Sequence, residues 1–289
     1  MCNHQITKSS NHQICHYLLM KRIIPFFLIF ASQSDILAQT QVPNNDKVMI
    51  INEKSVNSPS LEYSPTFYQN GIVFISTDAK SGNKIFDERQ GKKTSSIQIA
   101  RRGPLGVLAN PEIFAAELTT SLNDGPVAFD RGNETIYFST NHQKKGKKLK
   151  AKDGYVKQKI QFSKIANEKW QAAEDLPFNN VEYSICHPTV SVDGTTLYFA
   201  SNKPDGFGGM DIYSCKKIGE AWGEVENLGA TVNSDKDEIF PFVHPDGTLY
   251  FASNNAKSIG GLDIFSSKMT AGKYSTPENI GKPFLLEVK

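Results

Sequence analysis

Residues 195–215 read TTLYFASNKPDGFGGMDIYSC, and residues 248–267 repeat the pattern as TLYFASNNAKSIGGLDIFSS. Corresponding residues of the two copies, such as Asp211 and Asp263, lie 52 residues apart. A repeat of this length is typical of arrays of supersecondary units, in which each unit buries its apolar face only against its neighbours. The sequence therefore predicts a repeat architecture.

Each clear copy is preceded by a proline, a short apolar stretch and an Asp-Gly turn. The pattern consists of Pro188 with Asp193-Gly194, and of Pro241 with Asp246-Gly247. Weaker copies follow Pro65 and Pro126. Glycine enters the left-handed region at no steric cost, so Asp-Gly and Asn-Gly pairs indicate hairpin turns. A further match is an asparagine eight residues before the proline in three copies, at Asn57, Asn180 and Asn233.

Three more strands follow the first in each copy. The second is apolar on both faces, as in 196–201, which is typical of a strand covered on both sides. The third follows a glycine-rich loop: the loop ends with Gly209 and the strand contains Asp211 in one copy, and the corresponding residues are Gly261 and Asp263 in the next. The fourth contains an aromatic residue, namely Trp170, Trp222 or Tyr274. Units of four strands with both faces covered predict an all-β fold, a β-propeller.

The sequence predicts four blades within a propeller domain over 61–289, in a closed small ring or a partial propeller. Their approximate boundaries are 61–122, 123–181, 182–235 and 236–289. Residues 39–60 form a lead-in, in which 48–52 is a candidate closing strand. The stretches 77–94 and 140–158 are interpreted as loops.

The first 38 residues are interpreted separately. Met20-Lys21-Arg22 precedes the apolar run 23–31, and a small residue, Ala38, ends the stretch. This is the pattern of a secretory signal peptide over 20–38, which makes 1–19 a mis-annotated upstream extension. Without the leader, basic and acidic residues balance, which argues against a nucleic-acid partner. Cys186 and Cys215 are expected to be buried free thiols, although an exported chain could oxidise them.

The repeat resembles a known family. The order Pro-x-x-x-x-Asp-Gly, an apolar strand ending Ala-Ser-Asn, and Gly-Gly-x-Asp-Ile-aromatic is similar to the tandem, WD-repeat-like units of TolB-like propellers in bacterial envelope proteins. The match is strong over 182–281 and weaker over 61–181. In that family the propeller often adjoins an OmpA-like domain that grips peptidoglycan. The resemblance implies an exported protein of the periplasm or the inner face of the outer membrane, associated with the membrane only indirectly.

The sequence predicts no catalytic, cofactor-binding or metal-binding residue. Calcium loops need several clustered oxygen ligands, whereas each repeat offers one aspartate, so Asp211 and Asp263 are interpreted as structural. A sialidase would need an arginine cluster, and a serine hydrolase a Gly-x-Ser-x-Gly elbow; neither is present in the sequence. His142, His187 and His244 occupy different places in their repeats. We therefore expect no cofactor and predict that the chain is not an enzyme.

Two surface features are candidate partner contacts. The lysine-rich stretch contains Lys144, Lys145, Lys147 and Lys148 within an insertion of the second copy, and is either a solvated loop or an anion-binding patch. Phe207 lies in the glycine-rich loop of the third copy, either exposed as an anchor or folded onto its own blade.

The sequence thus predicts a protein–protein interaction or assembly module whose partners are envelope proteins. The alternative is a propeller that binds carbohydrate or peptidoglycan, which should show aromatic rings suited to stacking on sugars. A degenerate sialidase-like or other hydrolase is the third interpretation.

Overall fold

A computed structural model describes residues 52–77 and 94–281 in full, together with the backbone of short strands at 12–19, 29–32, 48–51, 86–87 and 92–93. Four antiparallel sheets follow one another in a four-bladed β-propeller, which confirms the predicted fold class. Blade 1 consists of Glu62–Tyr68, Gly71–Ser76, Ser96–Arg101 and Glu112–Ile113. Blade 2 consists of Asp124–Phe129, Thr135–Asn141 and Gln158–Ala166, with Lys169–Trp170 and Glu174–Asp175 both paired to the third strand.

Blade 3 consists of Ile185–Val190, Thr196–Ser201, Asp211–Ile218 and Ala221–Asn227. Blade 4 consists of Glu238–Val243, Leu249–Ser253, Asp263–Ser267 and Glu278–Asn279. The smaller elements are the strand pairs Phe86–Asp87 with Lys92–Lys93, Gln143–Lys144 with Lys147–Lys148, and Met269–Thr270 with Lys273–Tyr274, and the 3₁₀ helix Ala116–Leu118.

The candidate closing strand does not join a blade. Val48–Asn52 pairs with His12–Leu19, which also pairs with Ile29–Ser32, in a separate three-stranded sheet. Apart from the backbone of these strands, the predicted extension 1–19 and signal peptide 20–38 lie outside the described residues. Residues 282–289 lie outside them as well.

The second strand of each blade forms the centre of the core. Its phenylalanine, at the same repeat position in every blade, is fully buried: Phe74, Phe138, Phe199 and Phe251. In blade 3 this strand is buried at every position, because blades pack on both of its faces. Deletion of one such ring typically costs about 3–5 kcal/mol, so these four positions carry much of the stability.

Successive blades contact each other through an aromatic residue that lies in the fourth strand or in the short hairpin just before it. Trp222 of blade 3 lies edge-to-face on Tyr137 of blade 2, with ring centroids 6.0 Å apart. The Tyr274 hydroxyl of blade 4 donates to that of Tyr198 in blade 3 at 3.2 Å. In blade 2 the same position is Trp170, whose ring centroid is 6.3 Å from that of Tyr68 in blade 1. One repeated contact therefore joins blade 1 to 2, 2 to 3 and 3 to 4.

Each first strand is interrupted by a bulge immediately before its proline. The residues at the bulge have positive φ: Ser64 (51°), Gly125 (90°), His187 (56°) and Phe240 (52°). Proline lacks the N–H that a regular ladder requires, so the strand leaves the register at this point and regains it afterwards. This is the structural place of Pro188 and Pro241 in the repeat motif. First strands of successive blades contact one another, whereas within 52–77 and 94–281 no comparable strand contact joins blade 4 to blade 1.

Asparagines in the connections between blades bond the backbone of the preceding blade. Asn233 accepts from the amide N–H of Ile212 at 2.8 Å and donates to its carbonyl at 3.0 Å. Before blade 3 the same two bonds, to Ile160, come from Asn179 at 3.0 and 2.7 Å. The spacing of eight residues before the proline had indicated Asn180 for this position. The side chain of Asn180 instead accepts a local turn bond from the Glu182 N–H. The bonding asparagine before blade 3 is therefore one residue earlier than the repeat spacing predicts. A loop tolerates a shift of one residue, whereas in a strand such a shift would turn every side chain to the other face.

Three first strands begin with a buried carboxylate that hydroxyl groups surround. Glu62, Asp124 and Glu238 each accept a bond from a Ser or Thr four residues earlier and from another at the end of the second strand. For Asp124 these donors are Thr120 and Thr140, with bonds of 2.7 and 2.9 Å. The sequence analysis missed this feature, whose signal is an acidic residue two or three positions before the proline.

Replacement of Asn179 by alanine should lower the free energy of unfolding by about 1–3 kcal/mol, because the buried amide N–H of Ile160 loses its acceptor and the Ile160 carbonyl keeps only the Leu176 N–H as a donor. The matched control, Asn180→Ala, removes only an exposed turn bond and should cost about 0.5 kcal/mol or less. Urea denaturation of both variants measures the difference. Equal losses would show that the asparagine does not join the two blades.

Burial raises the pKa of Asp124 to about 6, although three hydrogen bonds to its carboxylate oppose the rise. Because the unfolded carboxyl titrates near pH 4, this group stabilises the fold most at low pH, and its contribution is lost as the pH rises from about 4 to about 6. Asp124→Asn cannot ionise, so the decrease over this window should be smaller than in the wild type. Chemical denaturation at several pH values measures it, and parallel pH profiles would contradict the assignment.

Candidate recognition face

The connections after the second strands come together at one end of the blades. Since each blade is an antiparallel meander, the turns after the first and third strands lie at one end, and the connections after the second and fourth strands lie at the other. We call the latter end the loop face and define it by the described second-to-third-strand connections, 142–157, 202–210 and 254–262. We call the opposite end the turn face.

The lysine-rich insertion of blade 2 is a β-hairpin on the loop face. Lys144 pairs with Lys147 across a two-residue turn, in which Lys145 and Gly146 have φ of 51° and 73°. Positive φ at both residues is the geometry of a type I′ turn, which suits a right-handed strand twist. The structure thus corrects the interpretation of 140–158 as a loop. Lys144, Lys145, Lys147 and Lys148 are all exposed on this hairpin.

Phe207 lies on the same face, in the connection of blade 3, and half of its surface is exposed. Asp211 holds the connection in place. Its carboxylate accepts from the Phe207 N–H at 2.6 Å, from the Gly208 N–H at 3.0 Å and from Asn227 Nδ2 at 2.8 Å. The structure therefore gives Asp211 a local backbone role and presents the ring of Phe207 to solvent.

The corresponding loop of blade 4 is similar. Asp263 accepts from the Ile259 N–H and, at 2.9 Å, from Asn279 Nδ2. Ile259 is 64% exposed, and Leu262 is also exposed. On blade 2, Leu149 and Tyr155 add two more exposed apolar side chains. The sequence analysis had not assigned Tyr155 and Leu262 to a surface. Their signal was an apolar residue within a connection between two strands.

The other motif residues lie on the turn face or against a neighbouring loop. In the first turn of blade 3, Asp193 accepts from the Thr195 N–H at 3.0 Å, and Gly194 has φ of 71°. In blade 4, Asp246 accepts from the Thr248 N–H at 2.8 Å, and Gly247 has φ of 86°. Gly209 lies against Asp237, whereas Gly261 faces open space.

The histidines and cysteines are separate and do not form one site. His187 stacks on Phe240, with ring centroids 3.9 Å apart, and burial lowers its pKa to about 3. Burial raises the pKa of Cys186 to about 12 and that of Cys215 to about 11, so these free thiols stay protonated at neutral pH. Within the fully described ranges, no group of three His, Cys, Asp or Glu residues is placed to hold a metal ion. No helix in that part of the chain is long and apolar enough to cross a membrane.

Comparisons with known proteins assign no family to this chain. No protein-family model matches the chain, and no curated protein matches it. Among solved structures, TolB from Acinetobacter baumannii matches with a TM-score of 0.46 and 12% identity, over 91% of this chain and 52% of that one. A putative TolB from Agrobacterium tumefaciens matches with a TM-score of 0.42 and 13% identity, over 81% of this chain and 84% of that one.

A gluconolactonase from Xanthomonas campestris matches with a TM-score of 0.49 and 12% identity, over 82% of this chain and 67% of the gluconolactonase chain. The chain thus spans about half of the Acinetobacter TolB, and 37% of a puromycin-hydrolyzing peptidase from Mycobacterium tuberculosis that also matches. At these identities the likeness shows the fold alone.

The comparisons contradict the prediction that the chain is not an enzyme. The similar structures include a gluconolactonase, peptidases and a family-43 glycoside hydrolase alongside the two TolB structures. The prediction rested on missing sequence motifs. In a repeat fold, residues from separate loops can form an active site without any local sequence motif. The absence of such motifs was therefore an insufficient reason to exclude an enzyme.

Proposed function

We propose that this propeller is an exported interaction module of the bacterial cell envelope, and that it binds a partner protein through the loop face. The observation that carries the proposal is the combination, on that face, of exposed apolar side chains with the exposed lysine hairpin. The apolar side chains are Leu149 and Tyr155 of blade 2, Phe207 of blade 3, and Ile259 and Leu262 of blade 4. The turn face also has exposed apolar side chains, among them Leu105, Val107 and Ile218, but apolar anchors on the same face as a run of four lysines are typical of a protein-interaction surface.

The chemistry of the face favours an acidic partner with apolar anchor residues. Aromatic side chains such as Phe207 and Tyr155 are frequent interface anchors because they bury a large area with few rotatable bonds. The hairpin from Lys144 to Lys148 adds a cluster of positive charge on the same face. Such charges accelerate encounter with an oppositely charged protein and make binding sensitive to salt.

The loop-face connection of blade 3, residues 202–210, is rigid enough to present the ring of Phe207 in one position. The Gly209 N–H donates to the Lys236 carbonyl at 2.9 Å, and the Met210 N–H donates to Asp237 Oδ1 at 2.9 Å. A Cβ on Gly208 would lie 2.1 Å from that same carbonyl oxygen, so only glycine fits there. An anchor held in place before binding loses less conformational entropy when it is buried.

The proposed location in the cell envelope rests on the signal-peptide pattern at residues 20–38. The charged start, short apolar run and Ala38 of residues 20–38 are the basis for proposing export. Envelope proteins are then the partners that the module encounters, and contact with the membrane is indirect.

The change of Lys144, Lys145, Lys147 and Lys148 to glutamine, combined with Phe207→Ser, should lower recovery of cross-linked envelope proteins about tenfold or more. The matched control changes four exposed lysines of the turn face, Lys164, Lys216, Lys268 and Lys273, to glutamine and should leave recovery unchanged. In-cell crosslinking of tagged full-length protein with mass spectrometry measures both. Equal recovery from the two variants would refute the loop face as the binding surface.

Gly208→Ala should displace the connection of blade 3 that carries Phe207. It should lower the free energy of unfolding by about 1–3 kcal/mol, because the new methyl group overlaps the backbone at Lys236. Gly261→Ala is the control, since no atom lies within 4 Å of its Cβ position. Thermal unfolding and the crosslinking assay measure stability and partner recovery. If Gly208→Ala matched the control in both, the loop would not be held as the structure indicates.

A further inference from the structure

We propose that the outer side of blade 4 is a docking surface for the segment that follows it in this chain, residues 282–286, with Phe284 as the anchor. The outer side is the side of the sheet that faces away from blade 3. Six side chains of the first three strands form it: Ile239, Phe242, Tyr250, Ala252, Ile264 and Ser266. This surface is separate from the loop face and goes beyond the proposed function.

The burial of equivalent residues in blades 3 and 4 shows that the outer side is incompletely covered. In blade 3, Tyr198 and Ile212 are 6% and 0% exposed, because blade 4 packs on them. Their equivalents 52 residues later, Tyr250 and Ile264, are only partly buried. Along the second and third strands of blade 4, buried and partly exposed residues alternate, whereas the equivalent residues of blade 3 are all buried. The apolar pattern of blade 4 is therefore that of a sheet that needs cover on both sides.

Blade 1 does not supply this cover. The side of blade 1 that points away from blade 2 carries Ile72, Phe74 and Ala100, and these are covered by Val56 and Leu108. Among the described residues, no hydrophobic cluster contains members of both blade 1 and blade 4. Because an uncharged, mainly apolar sheet side is unfavourable in water, another segment of chain is needed to pack on it.

The chain leaves blade 4 along the same path that it takes from blade 3. After blade 3 the Leu228 N–H donates to the Ile212 carbonyl at 3.1 Å, and after blade 4 the Ile280 N–H donates to the Ile264 carbonyl at 3.0 Å. A glycine follows in each case, with φ of 81° and 68°, and its N–H donates to the side chain of the asparagine two residues earlier at 2.8 and 2.9 Å. The chain therefore continues from the edge of the outer side, next to Ile264.

The repeat spacing places Phe284 where an earlier connection buries an apolar side chain. Val232, 52 residues before it, is 3% exposed and packs between blades 3 and 4. The connection between blades 2 and 3 contains the pair Pro177-Phe178, and the ring of this phenylalanine stacks on Phe199 with centroids 5.2 Å apart. The segment after blade 4 has the same Pro-Phe pair. An aromatic ring led onto an apolar sheet side replaces part of the cover that a further blade would give.

A cysteine introduced on the outer side reports whether the segment covers it. Ser266→Cys is nearly isosteric, and the native Cys186 and Cys215 are buried thiols that react slowly. In this background we expect Phe284→Ser to raise the rate of maleimide labelling at position 266 about tenfold, because the anchor is lost. Phe284→Leu keeps an apolar anchor and should leave the rate near that of the parent protein. The matched control, Leu105→Ser, removes an exposed leucine of the turn face and should have no effect.

Mass spectrometry of the labelled peptides measures each cysteine separately, so Cys186 and Cys215 show whether a variant is still folded. An unchanged rate at position 266 in Phe284→Ser would overturn the proposal. A faster rate at all three positions would also overturn it, because the segment would then support the whole fold and not one side of blade 4. Protection that depends on protein concentration would assign the cover to a second copy of the chain and would refute docking of this segment. None of these rates depends on the loop face, so the docking of residues 282–286 and the proposed function are tested separately.

Discussion

The contact between the aromatic residue in or just before the fourth strand of one blade and the preceding blade is the interaction on which the rest of the propeller depends. A single four-stranded sheet cannot bury both faces of its second strand, and the fully buried Phe199 requires a blade on either side. Trp170, Trp222 and Tyr274 supply this contact in turn. Because each blade provides the cover for its neighbour, stability accumulates along the repeat rather than within one unit.

Polar groups near these contacts are satisfied locally, and this leaves the connections free to differ. Asn179 and Asn233 bond the backbone of the preceding blade, and Asp211 and Asp263 bond their own loops. A buried amide or carbonyl without such a partner would cost as much as a core residue contributes. With these bonds made inside each unit, blade 2 can carry a lysine-rich hairpin where blades 3 and 4 carry short glycine-rich loops.

The two ends of the blades consequently differ in the length of their connections. The loop face combines flexible cationic side chains with exposed apolar ones, which suits a protein surface. The turn face is built from tight hairpins, and it also carries exposed apolar side chains such as Leu105 and Ile218. A propeller scaffold does not by itself decide between binding and catalysis.

The sequence by itself determined the blades, since a 52-residue spacing and strands apolar on both faces are consequences of local patterning and burial. It also located Phe207 and the four lysines, because hydrophobic and charged residues in a connection are visible without a structure. It missed the shift from Asn180 to Asn179 and the pairing of Lys144 with Lys147. Only the tertiary structure placed Phe207, Tyr155 and Ile259 on one face and brought Tyr68 to Trp170. Those residues are up to about a hundred positions apart, and their proximity results from how blades pack, which no local pattern encodes.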